Sequence, residues 1–372
     1  MGRNGIRDHR WMRKLLEARP STRRMRLTRR VGAASFVVLV AACASSACAA
    51  SGGSADFSKP LPTSVPPGTS LKISATDMKV ALTSSGQIDK LPFTVPDWPN
   101  VSAGPDVIQA FKGGAVELAS NAGIPSIQAH AQGLDTRIVA VLWRNTPNYG
   151  LATAPGSTIH SLQDLRGKKI AFSPGQAQGG VVLRTLQQAG LSTSDVTLVQ
   201  LNSPQFLTAL QGKQVDVAPL AEPSLTKYLA QYRSEGAGTV PSDAVDALSV
   251  LWAPTSVLAD DAKLAAVTEF VKFWARAKVW EWENQDRWIA DYYVKNQGVS
   301  EADGRRIMAT TERPYFPDNW DKSIDWEQQT IDLITSSGAF GKSFDAHQVF
   351  DRRFEKIAAD AVAPQYRTKA QG

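Results

Sequence analysis

The chain has 372 residues, 43% hydrophobic and 20% charged, with only two Cys. That composition excludes a disordered chain, a disulfide scaffold and a thiolate zinc cluster. Residues 1–42 hold 11 Lys/Arg against 2 Asp/Glu, and the remainder holds 30 against 33, so the formal charge of +6 belongs to the leader and no nucleic-acid partner is expected.

The basic leader ends at Arg30, and residues 31–42 form a run of 12 apolar and small residues. This is too short to span a bilayer and has the dimensions of a signal h-region. It closes on Val40-Ala41-Ala42-Cys43, which resembles the bacterial lipobox. Cys43 is therefore the expected lipidation site, with 1–42 as signal peptide. Residues 43–70 are rich in Ser, Ala, Gly and Pro and read as a flexible tether. Arg23-Arg24 and Arg29-Arg30 leave the export route open between general secretion and twin-arginine transport.

From Leu71 the chain alternates strand and helix patterns. Strands are expected at 71–75, 93–95, 116–119, 136–143, 150–153, 169–172, 196–201, 215–220 and 247–253. Helices are expected at 106–112, 126–132, 161–165, 180–189, 204–211 and 224–231. Such alternation implies α/β layers with largely parallel sheets. From Asp261 the pattern is helical, with Leu264, Val267, Phe270, Val271 and Trp274 on one face.

Four times a turn rich in Gly, Pro, Ser or Asn opens a helix: 102–105, 120–125, 173–179 and 221–223. Proline suits a first helical turn, glycine lets backbone approach a ligand, and helix starts present unpaired N–H groups to anions. In open α/β sheets such turns meet at the carboxyl ends of strands, where ligands bind. Trp98, Trp143 and Trp252 stand near strand ends and could wall a cleft, whereas Trp274, Trp280, Trp282 and Trp288 read as core. No nucleotide-binding, zinc-protease or nucleophile-elbow motif occurs. His130, His160 and His347 read as surface or capping residues, so neither metal nor cofactor is expected.

The run Asp164-Leu165-Arg166-Gly167-Lys168-Lys169-Ile170-Ala171 resembles a segment of periplasmic solute-binding proteins of the nitrate/sulfonate/taurine class. Gly104-Pro105 through Glu117, and Gly212 through Ala218 followed by Glu222-Pro223, resemble further segments of that family in the same order. The resemblance implies a type II periplasmic-binding-protein fold: two α/β lobes, two crossing strands, and C-terminal helices completing lobe I. The expected division is lobe I at 71–146, lobe II at 147–251 and a return to lobe I at 252–372. It implies an extracytoplasmic receptor, anchored to the outer face of the cell membrane, that hands a small molecule to an ABC permease and ATPase. A monomer without catalytic residues is expected.

By the same resemblance, ligand contacts fall on Thr76, Asp77, Ser102, Ser120, Asn121, Gly123, Ser173, Gly175, Gln176, Gln178 and Glu222, to which Trp252 is added from its strand-end position. No Arg or Lys occurs within the turns at 120–126, 173–180 or 221–224. An anion, sulfonate-like, would then be held by backbone N–H groups and by Ser120, Asn121, Ser173 and Gln176. Glu222 would meet an amine, bridge the lobes, or stand as a solvated charge. The alternatives are a receptor for a thiamine-precursor pyrimidine or other heterocycle, and a pyrimidine-precursor synthase sharing the scaffold.

Overall fold

The structure, a computed structural model, describes residues 55–101 and 103–367. Cys43 and Ser102 lie outside the described residues. Among the described residues nine strands form two sheets. They are β1 (Ile73–Ser74), β2 (Leu118–Ala122), β3 (Thr136–Trp143), β4 (Tyr149–Thr153), β5 (Lys169–Phe172), β6 (Thr197–Gln200), β7 (Val217–Ala221), β8 (Thr239–Val240) and β9 (Leu248–Pro254). Lobe I is built on the sheet ordered β1-β2-β9-β3, with α1 (Thr76–Ser84), α2 (Gly104–Lys112) and α3 (Ile124–Ala131). Lobe II is built on β6-β5-β7-β4-β8, with α4 (Ala177–Gln188), α5 (Ser203–Gln211) and α6 (Ser224–Tyr232).

The expectation of largely parallel sheets needs correction. Crossovers through α4 and α5 do make β5 parallel to β6 and to β7. But β4 and β9 enter their sheets from the other lobe and run antiparallel to their neighbours. The chain passes between sheets at 144–148 and returns at 241–247. The lobe boundary expected at 251/252 therefore falls inside β9, which belongs wholly to lobe I.

Other differences are local. The expected strand at 93–95 reduces to one bridge between Ser70 and Thr94. The expected helix at 161–165 is one 3₁₀ turn, Gln163–Leu165. Helix α1 was not expected, because its apolar residues Met78, Ala81 and Leu82 make a single short stripe.

The tail comprises α7 (Thr255–Leu258), α8 (Asp261–Glu283), α9 (Gln285–Trp288), α10 (Glu301–Ala309), α11 (Asp321–Ser336) and α12 (Ile357–Asp360). Asp260 caps α8, its carboxylate accepting from the Ala262 and Lys263 N–H groups at 2.9 and 3.0 Å. The apolar face of α8, including Leu264, Val267, Phe270 and Trp274, is buried in lobe I. The tail also reaches lobe II: Arg184 of α4 donates to the Thr330 hydroxyl of α11 at 2.6 Å. Between α9 and α10 a π-helical stretch, Ile289–Asn296, interrupts the regular pattern. Such wide turns recur at functional sites. Among the described residues no helix is long and apolar enough to cross a membrane.

Candidate ligand site

A cavity of about 190 Å³ lies where the chain first crosses between lobes. It is comparable with the ~150 Å³ void that admits benzene. Two expected residues line it: Asp77, in the first turn of α1, and Glu222, in the turn after β7. The other charges come from elsewhere in the chain: Arg144 at the first crossing, Lys278 and Glu281 on α8, and Glu312 and Arg313 after α10.

Lys278 organises the inner wall. Its ammonium lies 2.8 Å from Asp77 and 3.2 Å from Glu281. Burial opposes ionisation of all three groups. For Asp77 the adjacent ammonium outweighs burial, so its carboxyl stays below the ordinary range. For Lys278 the two carboxylates outweigh burial and raise it. For Glu281 burial prevails, pushing its carboxyl up to about 7.

The remaining acids are engaged as well. Glu222 accepts from the backbone N–H and hydroxyl of Thr226 at 3.1 and 2.5 Å, and meets Arg306 of α10 at 3.4 Å. It thus joins lobe II to the tail while facing the cavity. Glu312 accepts from the backbone N–H of Asn145 and, at 3.2 Å, from that of Thr146. Arg144 differs: among the described residues its guanidinium takes part in no ion pair and no hydrogen bond. The buried Asp246 feels Arg184 and Arg144 through space, yet burial still pushes its carboxyl up to about 6.

Aromatic rings supply the rest of the wall. Trp143, Trp282, Trp288, Tyr292 and Tyr293 line the cavity, and Trp288 stacks on Tyr292 at 4.3 Å with planes 4° apart. Burial raises the phenols of Tyr292 and Tyr293, the latter to about 12, so both are uncharged at neutral pH.

The other expected residues among those described do not line this cavity. Ser120 and Asn121 are still in β2, paired with Leu251 and Val250 of β9. Ser173 donates to Gln176 Oε1 at 2.7 Å, and that amide holds the start of α5 through Ser203 at 2.8 Å. These polar groups tie lobe II together. Gln178 is half-buried in the first turn of α4, and Thr76 opens α1. The expected ligand role of Trp252 is corrected: its side chain is fully buried, packs edge-on to Phe111 at 4.7 Å and donates to Asn121 at 2.9 Å. Trp98 packs on Phe270, 6.2 Å away, so of the three proposed cleft walls Trp143 alone borders the cavity. Trp282 and Trp288, read as core, border it instead.

Gly123 and Gly175 sit where segments converge. A β-carbon on Gly123 would fall 1.6 Å from Glu327 Oε1, and one on Gly175 would fall 1.9 Å from Gln128 Nε2. One on Gly104 of lobe I would fall 2.6 Å from the Gly175 carbonyl of lobe II. The lobes therefore touch through these turns, and only glycine permits that approach.

Residues 100–272 match the NMT1/THI5 like family. A protein of Escherichia coli (strain K12) named as an aliphatic sulfonates-binding protein is 32% identical over 134 residues, 36% of this chain and 42% of that relative. A protein of the same name from Bacillus subtilis (strain 168) is 24% identical over 263 residues, 71% of this chain and 78% of that relative. The fold agrees with both. The alkanesulfonate-binding protein of Xanthomonas axonopodis pv. citri, solved bound to MOPS, superposes with a TM-score of 0.67 at 20% identity, over 77% of this chain and 99% of that one.

The chain shares the fold of these binding proteins, and its residues 100–272 resemble the family. The alignment spans less than half of the Escherichia coli relative.

Sequence reasoning missed Arg144, Lys278, Glu281 and the tyrosine pair. One signal was present: the apolar stripe 264–267–271–274 of α8 continues onto Lys278 and Glu281, placing charge on a buried face. Arg144 carried no such signal. Among the described residues no group of His, Cys, Asp or Glu is placed to hold a metal ion.

Proposed function

We propose that the chain is an extracytoplasmic solute receptor, held to the outer face of the membrane by acylated Cys43, that delivers a small sulfonate-like anion to an ABC permease and ATPase. The observation that carries the anion is Arg144. A half-buried guanidinium lacking a direct countercharge has lost hydration that an anionic ligand restores through charge-assisted, bidentate bonds. Every carboxylate on the same wall is already engaged by a cation or an N–H group. The cavity meets the requirement for lobe closure, since α1, β3, the turn after β7 and the tail each contribute to its lining. The names of the relatives favour a sulfonate. Binding rather than catalysis is favoured because the relatives that match in sequence are named as binding proteins.

Calorimetry with taurine, hexanesulfonate, nitrate and a thiamine-precursor pyrimidine tests this reading. A sulfonate should bind, and Arg144→Gln should weaken it by two orders of magnitude or more, roughly the loss of a desolvated charge pair. Binding of the pyrimidine alone, or of uncharged ligands alone, overturns the anion assignment.

A further inference from the structure

Resting on the receptor reading above, we infer that the ligand carries a ring: the cavity is a site for a monocyclic aryl anion, its acidic group on Arg144 and its ring among Trp143, Trp282, Tyr292 and Tyr293. Three observations converge on this. The first is shape. The cavity of about 190 Å³ is little larger than the ~150 Å³ void that takes benzene, leaving room for one ring and a head group.

The second is the wall. Five aromatic side chains border the space, and four of them keep part of their surface open to it rather than filling one another's. Their orientations are fixed. Trp143 Nε1 donates to Asn145 Oδ1 at 3.1 Å, Trp288 stacks on Tyr292 at 4.3 Å, and Tyr293 stands edge-on to Tyr292 at 5.2 Å with planes 72° apart. Rings held both flat and edge-on meet a third ring in the offset and T-shaped geometries that aromatic quadrupoles prefer. An alkyl chain gains contact area there but no such directional contribution. The π-helical turn brings the consecutive Tyr292 and Tyr293 into the same wall.

The third is charge. An aromatic box edged with carboxylates also suits a quaternary ammonium. Here Asp77 and Glu281 share the Lys278 ammonium, with the buried Glu281 carboxyl pushed up to about 7, Glu222 meets Arg306, and Glu312 is bound to backbone N–H groups. The lining also contains Arg144 and Arg313. The two phenols stay protonated and so do not repel an anion.

The test is calorimetry on the full-length protein in detergent with four probes: benzenesulfonate, cyclohexanesulfonate, hexanesulfonate and benzyltrimethylammonium. Benzenesulfonate should bind about tenfold or more tightly than hexanesulfonate and also ahead of cyclohexanesulfonate, the gain expected from two or three ring contacts. Tyr293→Leu and, separately, Trp282→Leu should narrow that gap, lowering benzenesulfonate affinity more than hexanesulfonate affinity. Hexanesulfonate binding as tightly as benzenesulfonate overturns the ring inference and leaves the receptor reading standing. Binding of the ammonium alone, or of none of the four, overturns both.

Discussion

Replacing Glu327 with Gln should abolish a pH dependence of stability that its burial imposes. Glu327 of α11 is 1% exposed, and its Oε2 has no hydrogen-bond partner among the described residues. Its other oxygen lies over the Gly123 backbone. The nearby cation, Arg184, donates through Nη2 to Thr330 at 2.6 Å and lies 4.2 Å over the Trp326 ring, and it forms no ion pair with Glu327 among the described residues. Burial, reinforced by the Asp246 charge and only partly offset by Arg184, pushes the Glu327 carboxyl from 4.5 up to about 8. The folded chain thus holds a proton here that the unfolded chain releases above pH 4.5.

Stability from this group is complete below pH 4.5 and is lost as pH rises toward 8. The limiting slope is about 1.4 kcal/mol per pH unit, so the ceiling between pH 6 and pH 8 is roughly 3 kcal/mol. Glutamine keeps the shape and cannot ionise. Scanning calorimetry at pH 6, 7 and 8, at constant ionic strength, should show wild type losing several degrees of Tm relative to Glu327→Gln as pH rises. Parallel Tm profiles for the two proteins would refute the reasoning, because they would mean that Glu327 is ionised in the folded state.

Cys43→Ser should release the protein from the membrane fraction, since two acyl chains anchor stably and none does; retention of the processed variant in membranes would contradict acylation. Gly104→Ala should wedge the lobes, because the new methyl meets the Gly175 carbonyl at 2.6 Å. Small-angle scattering should then show a larger radius of gyration than wild type with ligand, and calorimetry a weaker affinity. Asp260→Ala removes a cap that takes two N–H groups of α8 and should cost about 1 kcal/mol, read from denaturant unfolding, with ligand affinity unchanged.

The strands that sequence reading located best, β3 and β5, are apolar runs closed by abrupt changes of composition: Trp143-Arg144-Asn145 after one, Ser173-Pro174-Gly175 after the other. Helices α2 and α5 were legible because proline and glycine mark their ends. The sense of the strands was not legible. Antiparallel pairing of β4 and β9 follows from which lobe each strand comes from, a global property with no local pattern.

The site divides in the same way. Asp77 and Glu222 were expected from the family resemblance, and Glu222 also from its turn after a strand, where ligands of open α/β sheets bind; both line the cavity. Their partners were not, since Lys278 lies 201 residues beyond Asp77 and Arg306 lies 84 beyond Glu222. Ser173 and Gln176 look like ligand donors in sequence. They are spent on Ser203, a commitment that appears only once α5 is packed beside β5.

The anion site is tested most directly by a crystal structure of the protein grown with benzenesulfonate. The acidic group should lie within about 2.7–3.2 Å of the Arg144 guanidinium, inside the space bounded by Asp77, Glu222 and the aromatic wall. A ligand seated instead against the turns at 120–123 and 173–176, with Arg144 making no contact to it, would contradict the account.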